Sequence, residues 1–160
     1  MKYALLTASV AILAAAPAAA QVMSPAEYVM TAGASDLYER QSSQIVMAST
    51  ADPKIRDFAR MMISAHAKTT ADVTAAAKQS RVAPMPPKLM PAQAELIAEL
   101  TAETGAARDA TYVAQQKAAH GQALAVQKAY AMDGTAPALK RAAANVVPVV
   151  QAHIDMLKTM

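Results

Sequence analysis

The sequence predicts an all-α fold: an antiparallel four-helix bundle with one extra short helix. Three observations carry that prediction. Apolar residues recur every three or four positions through four long segments, the spacing that gathers them on one helical face. Serine, aspartate, proline or glycine punctuates most of the segment ends. A single proline-rich run, Val82-Ala83-Pro84-Met85-Pro86-Pro87-Lys88, divides the second long segment from the third. Three prolines in four positions cannot be helical, so this run reads as an extended crossover along the bundle.

The chain has 160 residues, enough for one domain. It opens with Met1-Lys2-Tyr3, is apolar through residues 4–16, and reaches Pro17-Ala18-Ala19-Ala20 before Gln21. A basic start, an apolar middle and small residues at an A-x-A site predict a secretory signal peptide over residues 1–20. Residues 21–160 are then a single mature domain, periplasmic or secreted. The early apolar run is short for a membrane span, and no later segment is long and apolar enough to be one. There are no cysteines, so disulfides add nothing and stability must come from packing. Eleven methionines and abundant alanine suit narrow helix–helix spaces.

The formal charge is +3, from 15 Lys+Arg against 12 Asp+Glu, and removing Lys2 leaves 14 against 12, or +2. These charges are interspersed, with no basic run and no interleaved aromatics, which argues against nucleic-acid binding. The methionines occur singly or as the pair Met61-Met62, which argues against a thioether copper motif. A homo-oligomer is compatible with everything read so far.

Ser24-Pro25-Ala26-Glu27 is a capping box with proline at the first helical position, and it opens a helix reaching about Ser49. Met30, Ala34, Leu37, Ile45 and Ala48 form one stripe of this helix, and Tyr28, Ala32, Glu39 and Val46 form another. Gly33 weakens the middle and offers a point of close approach. Asp52-Pro53 opens the second helix, Lys54–Ser80, with Ile55, Phe58, Met62, His66, Thr69 and Val73 on one face. Only Thr50-Ala51 separate the two, so they fold back as a hairpin.

After the crossover, Pro91–Thr104 is a short helix carrying Leu96, Ile97 and Leu100. Gly105 separates it from the third long helix, about Ala106–Met132, which Asp133-Gly134 terminates. Val113, Gln116, His120, Leu124 and Gln127 share a face there. Thr135-Ala136-Pro137 starts the last helix, where Leu139, Val146 and His153 fall seven apart beside a row of Ala143, Val150 and Leu157. Pro148 lies inside it and predicts a kink. Four long helices with one extended crossover after the second predict a ferritin-like topology.

All three histidines lie on apolar helical faces. At about 1.5 Å per residue, Glu39 and His66 each stand roughly 15–20 Å from the first hairpin turn. His120 stands about 18 Å before the second turn and His153 about 25 Å beyond it. One residue per long helix thus reaches mid-bundle. Glu39, His66, His120 and His153 are a candidate ligand set for zinc or iron, with Tyr112 beside it. The competing expectation is a structural polar cluster, with Tyr38, Tyr112, Gln116 or Thr69 as the histidines' partners. A di-iron carboxylate centre is excluded, because residues 63, 117 and 150 are Ile, Lys and Val where each histidine would need a preceding glutamate. The sequence carries no phosphate loop, no nucleophile elbow and no H-E-x-x-H zinc motif, so no catalytic residue is expected.

These residues also form an ordered set: Glu39; Phe58, Met62 and His66; Gly105, Asp109, Tyr112 and His120; Pro148 and His153. Over about Ser24–Leu157 the set resembles the bacterial family called domain of unknown function 4142. The resemblance implies an exported protein with a ferritin-like four-helix fold and implies no activity. Family members commonly carry aspartate before the second-helix histidine and often before the third-helix one, where this chain has Ala65 and Ala119. They commonly have Phe-Asp where it has Arg108-Asp109. The leading functional expectation is a non-enzymatic exported binding or envelope-stress module. The alternative is a metal-binding bundle. A small-ligand or peptide binder, using a groove beside the crossover, is the third.

Overall fold

A computed structural model describes residues 22–83 and 85–160. The expected signal peptide and Pro84 of the crossover lie outside the described residues. Five helices follow one another: α1 (Pro25–Met47), α2 (Pro53–Gln79), α3 (Pro91–Ala102), α4 (Gly105–Asp133) and α5 (Pro137–Leu157). No described helix is long and apolar enough to cross a membrane.

Local chemistry sets the ends. The Ser24 hydroxyl accepts from the Glu27 amide at 3.3 Å, and the Glu27 carboxylate accepts from the Ser24 amide at 2.8 Å. Two otherwise orphaned donors are satisfied reciprocally. Asp52 accepts from the Lys54 and Ile55 amides at 2.7 and 3.4 Å, a cap worth about 1 kcal/mol. Gly134 ends α4 with a φ of −57°. Space, and not backbone handedness, makes it glycine: a Cβ there would meet the Tyr130 carbonyl oxygen at 2.5 Å.

The long helices pack as two hairpins, α1 with α2 and α4 with α5, joined along the α1–α4 and α2–α5 seams. Every neighbouring pair is antiparallel, and the crossover plus α3 climbs back beside α1 to let α4 start at the α1–α2 turn. Arg108 and Asp109 fasten that end. Arg108 donates to the Leu100 and Ile45 carbonyls and to Ser49 Oγ, while Asp109 accepts from the Thr50 hydroxyl at 2.9 Å. The Arg-Asp pair is therefore a clasp between α1, α3 and α4.

Of the two stripes on α1, the one containing Tyr28, Ala32, Glu39 and Val46 is wholly buried. In the other, Ala34 is buried but Met30 is 46% exposed and Ala48 is also exposed. The core itself has two apolar halves. Tyr28, Val73, Tyr130, Leu139 and Ala143 form one, at the α4–α5 turn end. Val46, Phe58, Met62, Leu100, Tyr112 and Leu157 form the other, beside the α1–α2 turn. Between them lies a polar layer containing all three histidines.

Pro87 of the crossover, not another helix, covers Gly33, and an added Cβ would meet it at an ordinary 3.5 Å. Glycine is not required there. Gly33→Ala is expected to raise the unfolding free energy by roughly 0.5–1 kcal/mol, read by urea denaturation.

Candidate metal centre

The mid-bundle layer brings His66 from α2, His120 from α4 and His153 from α5 together. One ring nitrogen from each lies within 4.8 Å of the others. His66 is 6% exposed, His153 4% and His120 1%.

Hydrogen bonds orient two of the rings. His66 Nδ1 is 2.8 Å from Asp36 Oδ1, and the Thr70 hydroxyl donates to Asp36 Oδ2 at 2.9 Å. A carboxylate on Nδ1 turns Nε2 away from it, and His66 Nε2 is buried with no partner. His120 Nδ1 is 2.9 Å from the Gln116 carbonyl oxygen. A carbonyl only accepts, so the proton is on Nδ1 and the Nε2 lone pair faces inward. His120 Nε2 is 3.3 Å from His153 Nδ1.

Glu39 stands on the outer side of His120. Its Oε1 is 3.6 Å from His120 Nδ1, too long for a hydrogen bond and close enough for strong charge interaction, and its Oε2 has no partner. The Tyr112 and Ser43 hydroxyls pair with each other at 2.8 Å, and Tyr38 donates to Gln115 at 2.9 Å. Thr69 donates to the Ala65 carbonyl. No tyrosine or threonine hydroxyl thus bonds the imidazole of a described histidine; the Thr70 hydroxyl reaches only the His66 backbone carbonyl, at 2.8 Å. The rings' partners are Asp36, the Gln116 backbone and each other.

Asp36 was absent from the candidate set. Its signal was available: in a hairpin turning near residue 51, the residue level with His66 is 36, and Asp36-x-x-Glu39 puts both acids on one helical face.

Burial dominates the electrostatics. Desolvation, then the neighbouring His66, lowers His120 from 6.5 to about 4. Desolvation, then His120 and His66, lowers His153 to about 3. Burial pulls His66 down too, but its hydrogen bond to Asp36 and the charges of Glu39 and Asp36 leave it raised overall. Desolvation raises Glu39 from 4.5 to about 7, against the pull of His66. At neutral pH, His120 and His153 are therefore neutral imidazoles, the form a metal requires.

These shifts predict how stability varies with pH in the metal-free protein. From pH 6.5 down to 4.5 the unfolded chain takes up protons at residues 120 and 153 while the folded chain does not. Stability is lost as pH falls through that window. Glu39 acts oppositely, since it is protonated in the fold and ionised in the unfolded chain between about pH 4.5 and 7. Two protons against one leave a net loss of about 1.4 kcal/mol per pH unit, steepening below 4.5. Above pH 6.5, Glu39 and His66 turn the trend downward again. Urea midpoints should peak near pH 6.5, and midpoints that rise steadily from pH 6.5 to 4.5 would contradict this assignment.

An antiparallel four-helix bundle with a proline-rich crossover and a buried three-histidine layer is the class of protein this fold and layer define. A family model described as "Domain of unknown function (DUF4142)" matches residues 11–160, and the chain belongs to that family. No curated protein matches it in sequence. Solved structures that share the fold include two that can be compared in detail. CopM in the Cu(I)-bound form is 13% identical, with a TM-score of 0.69 over 85% of this chain and 94% of CopM. A DUF305 protein from Streptomyces coelicolor, described as secreted, is 17% identical, with a TM-score of 0.64 over 86% and 90%. At these identities the likeness concerns the fold.

Proposed function

We propose that the protein is an exported metal-binding bundle, periplasmic or secreted, that holds one divalent first-row ion on His66, His120 and His153. The observation that carries this reading is His66: its Nε2 is buried and unpartnered while its other nitrogen is anchored to buried Asp36. Leaving a buried polar atom unpaired costs about 1–3 kcal/mol, so a site that keeps one has a use for it. Histidine bound to a carboxylate through its far nitrogen is the usual outer arrangement of a metal ligand.

The charges agree. Asp36 and Glu39 stand behind the rings, and two carboxylates balance one divalent ion in a buried layer. Glu39 is assigned this compensating role in place of direct ligation. Three imidazoles suit zinc, copper or iron, and no thiolate is available to select a softer ion. The ion would supply Lewis-acid character, and this chain's own residues fix the rings, balance the charge and keep water sparse. CopM, a protein of the same fold, is described in a Cu(I)-bound form, which supports metal binding by such a bundle but not the charge of the ion proposed here. The early apolar run with its A-x-A end supports export, and cleavage after Ala20 is the corresponding proposal.

The test is elemental analysis of tag-free protein reconstituted with zinc and with copper, followed by chelator competition. About one equivalent held at micromolar or tighter affinity supports the reading. Protein that stays metal-free after reconstitution refutes it and leaves the histidine layer as a structural polar network.

A further inference from the structure

The three rings are not held equally. His66 is fixed by Asp36 and His120 by the Gln116 carbonyl, each through the nitrogen facing away from the centre. His153 has one hydrogen bond among the described residues, and it runs to His120. Its ring is the one that can turn without breaking an outer anchor.

The surroundings of His153 are unusual in two further ways. A groove of about 550 Å³ runs between α2 and α5, lined by Ala65, Thr69, Ala142, Val146 and Val149 among others. Val149 and Val146 precede His153 by four and seven residues, so they lie beneath it on one helical face. His153 does not itself line the groove; Val149 at its head stands one turn below His153, and Ala65 across from it adjoins His66 in the chain, so the groove ends beside the histidine layer. Between Val146 and Val149 sits Pro148, inside α5. Proline lacks the N–H that would bond the Ala144 carbonyl, so the ladder is weakest where the last turns of α5 meet the groove.

The opposite seam is strapped. A groove of about 370 Å³ there is lined by Ala118 and Ala119 of α4. Tyr38 donates to Gln115 across it, and Gln115 in turn donates to Glu99 of α3 at 2.8 Å.

We propose that metal enters and leaves through the α2–α5 groove, with His153 as the ligand that joins last and departs first. This rests on the metal-binding reading. It separates the two anchored ligands, His66 and His120, from the groove segment that sets exchange rate, residues 146–149, and makes His153 the ligand that contributes to both affinity and rate.

Stopped-flow loading of the mature protein with Zn2+, and release to a chromophoric chelator, tests the route. Val149→Phe puts a ring at the groove head, where Val149 is 39% exposed. It is expected to slow loading and release alike by about tenfold or more, with the equilibrium affinity unchanged. Ala142→Leu fills the same groove lower down and repeats the slowing if Phe disturbs the fold. Ala118→Phe, in the strapped groove, leaves both rates unchanged. Slowing by Ala118→Phe alone, or equal rates in all variants, overturns the route while leaving metal binding intact. A wild-type protein that takes up no Zn2+ refutes the metal reading itself, before any rate is compared.

Discussion

Replacing His120 and His153 together by leucine is expected to weaken metal binding by more than about a hundredfold, beyond the loss that an outer partner alone produces. The same variant should fold at least as stably as the parent at pH 7. Both rings are neutral and buried there, and their one mutual hydrogen bond disappears with both partners. Removing both ends of a buried polar pair and filling the space with apolar volume is commonly neutral or stabilising. It also joins the two apolar halves of the core. Chelator competition reads the affinity and urea denaturation reads the stability. Retained affinity in the double variant would show that the ion binds elsewhere. A variant that binds no metal but is several kcal/mol less stable would mark the layer as structural.

Asp36 is the second expected large effect. Asp36→Asn keeps one oxygen that can accept from His66 Nδ1, replaces the oxygen facing Thr70 with an amide NH2 that can donate to that hydroxyl, and removes the charge. Asp36→Ala removes the accepting oxygen as well as the charge. Affinity should fall by about 10–100-fold in the alanine variant, with the asparagine variant between it and the wild type. That order separates orienting the ring from balancing the ion, a distinction a merely structural role would not produce. It would also move the pH dependence of binding. Without the carboxylate His66 loses the partner that raises its affinity for a proton, so metal should compete successfully at lower pH. Equal affinities in all three proteins would remove Asp36 from the site.

The helices, the first hairpin, the crossover and the inward-facing histidines were legible because each is written locally. Ser24, Asp52 and the prolines beside them state where α1 and α2 begin. The seven-residue row Leu139, Val146, His153 states which face of α5 is buried. Counting rises along the helices was enough to put three histidines at one level. The same counting admitted Glu39 and passed over Asp36, because three residues along a helix change the level by only about 4.5 Å and both acids share a face.

The sequence by itself determined the fold class and the meeting of three imidazoles, since periodicity and capping act within a few residues of chain. Only the tertiary structure decided which nitrogen each ring presents. It decided also which acid anchors His66, and that the polar layer divides the core in two. Those outcomes depend on the rotation and stagger of helices joined across 30 to 117 residues of chain. One residue of slippage turns a helix by about 100° and shifts it by about 1.5 Å, which is enough to exchange one partner for another while leaving every local signal unchanged.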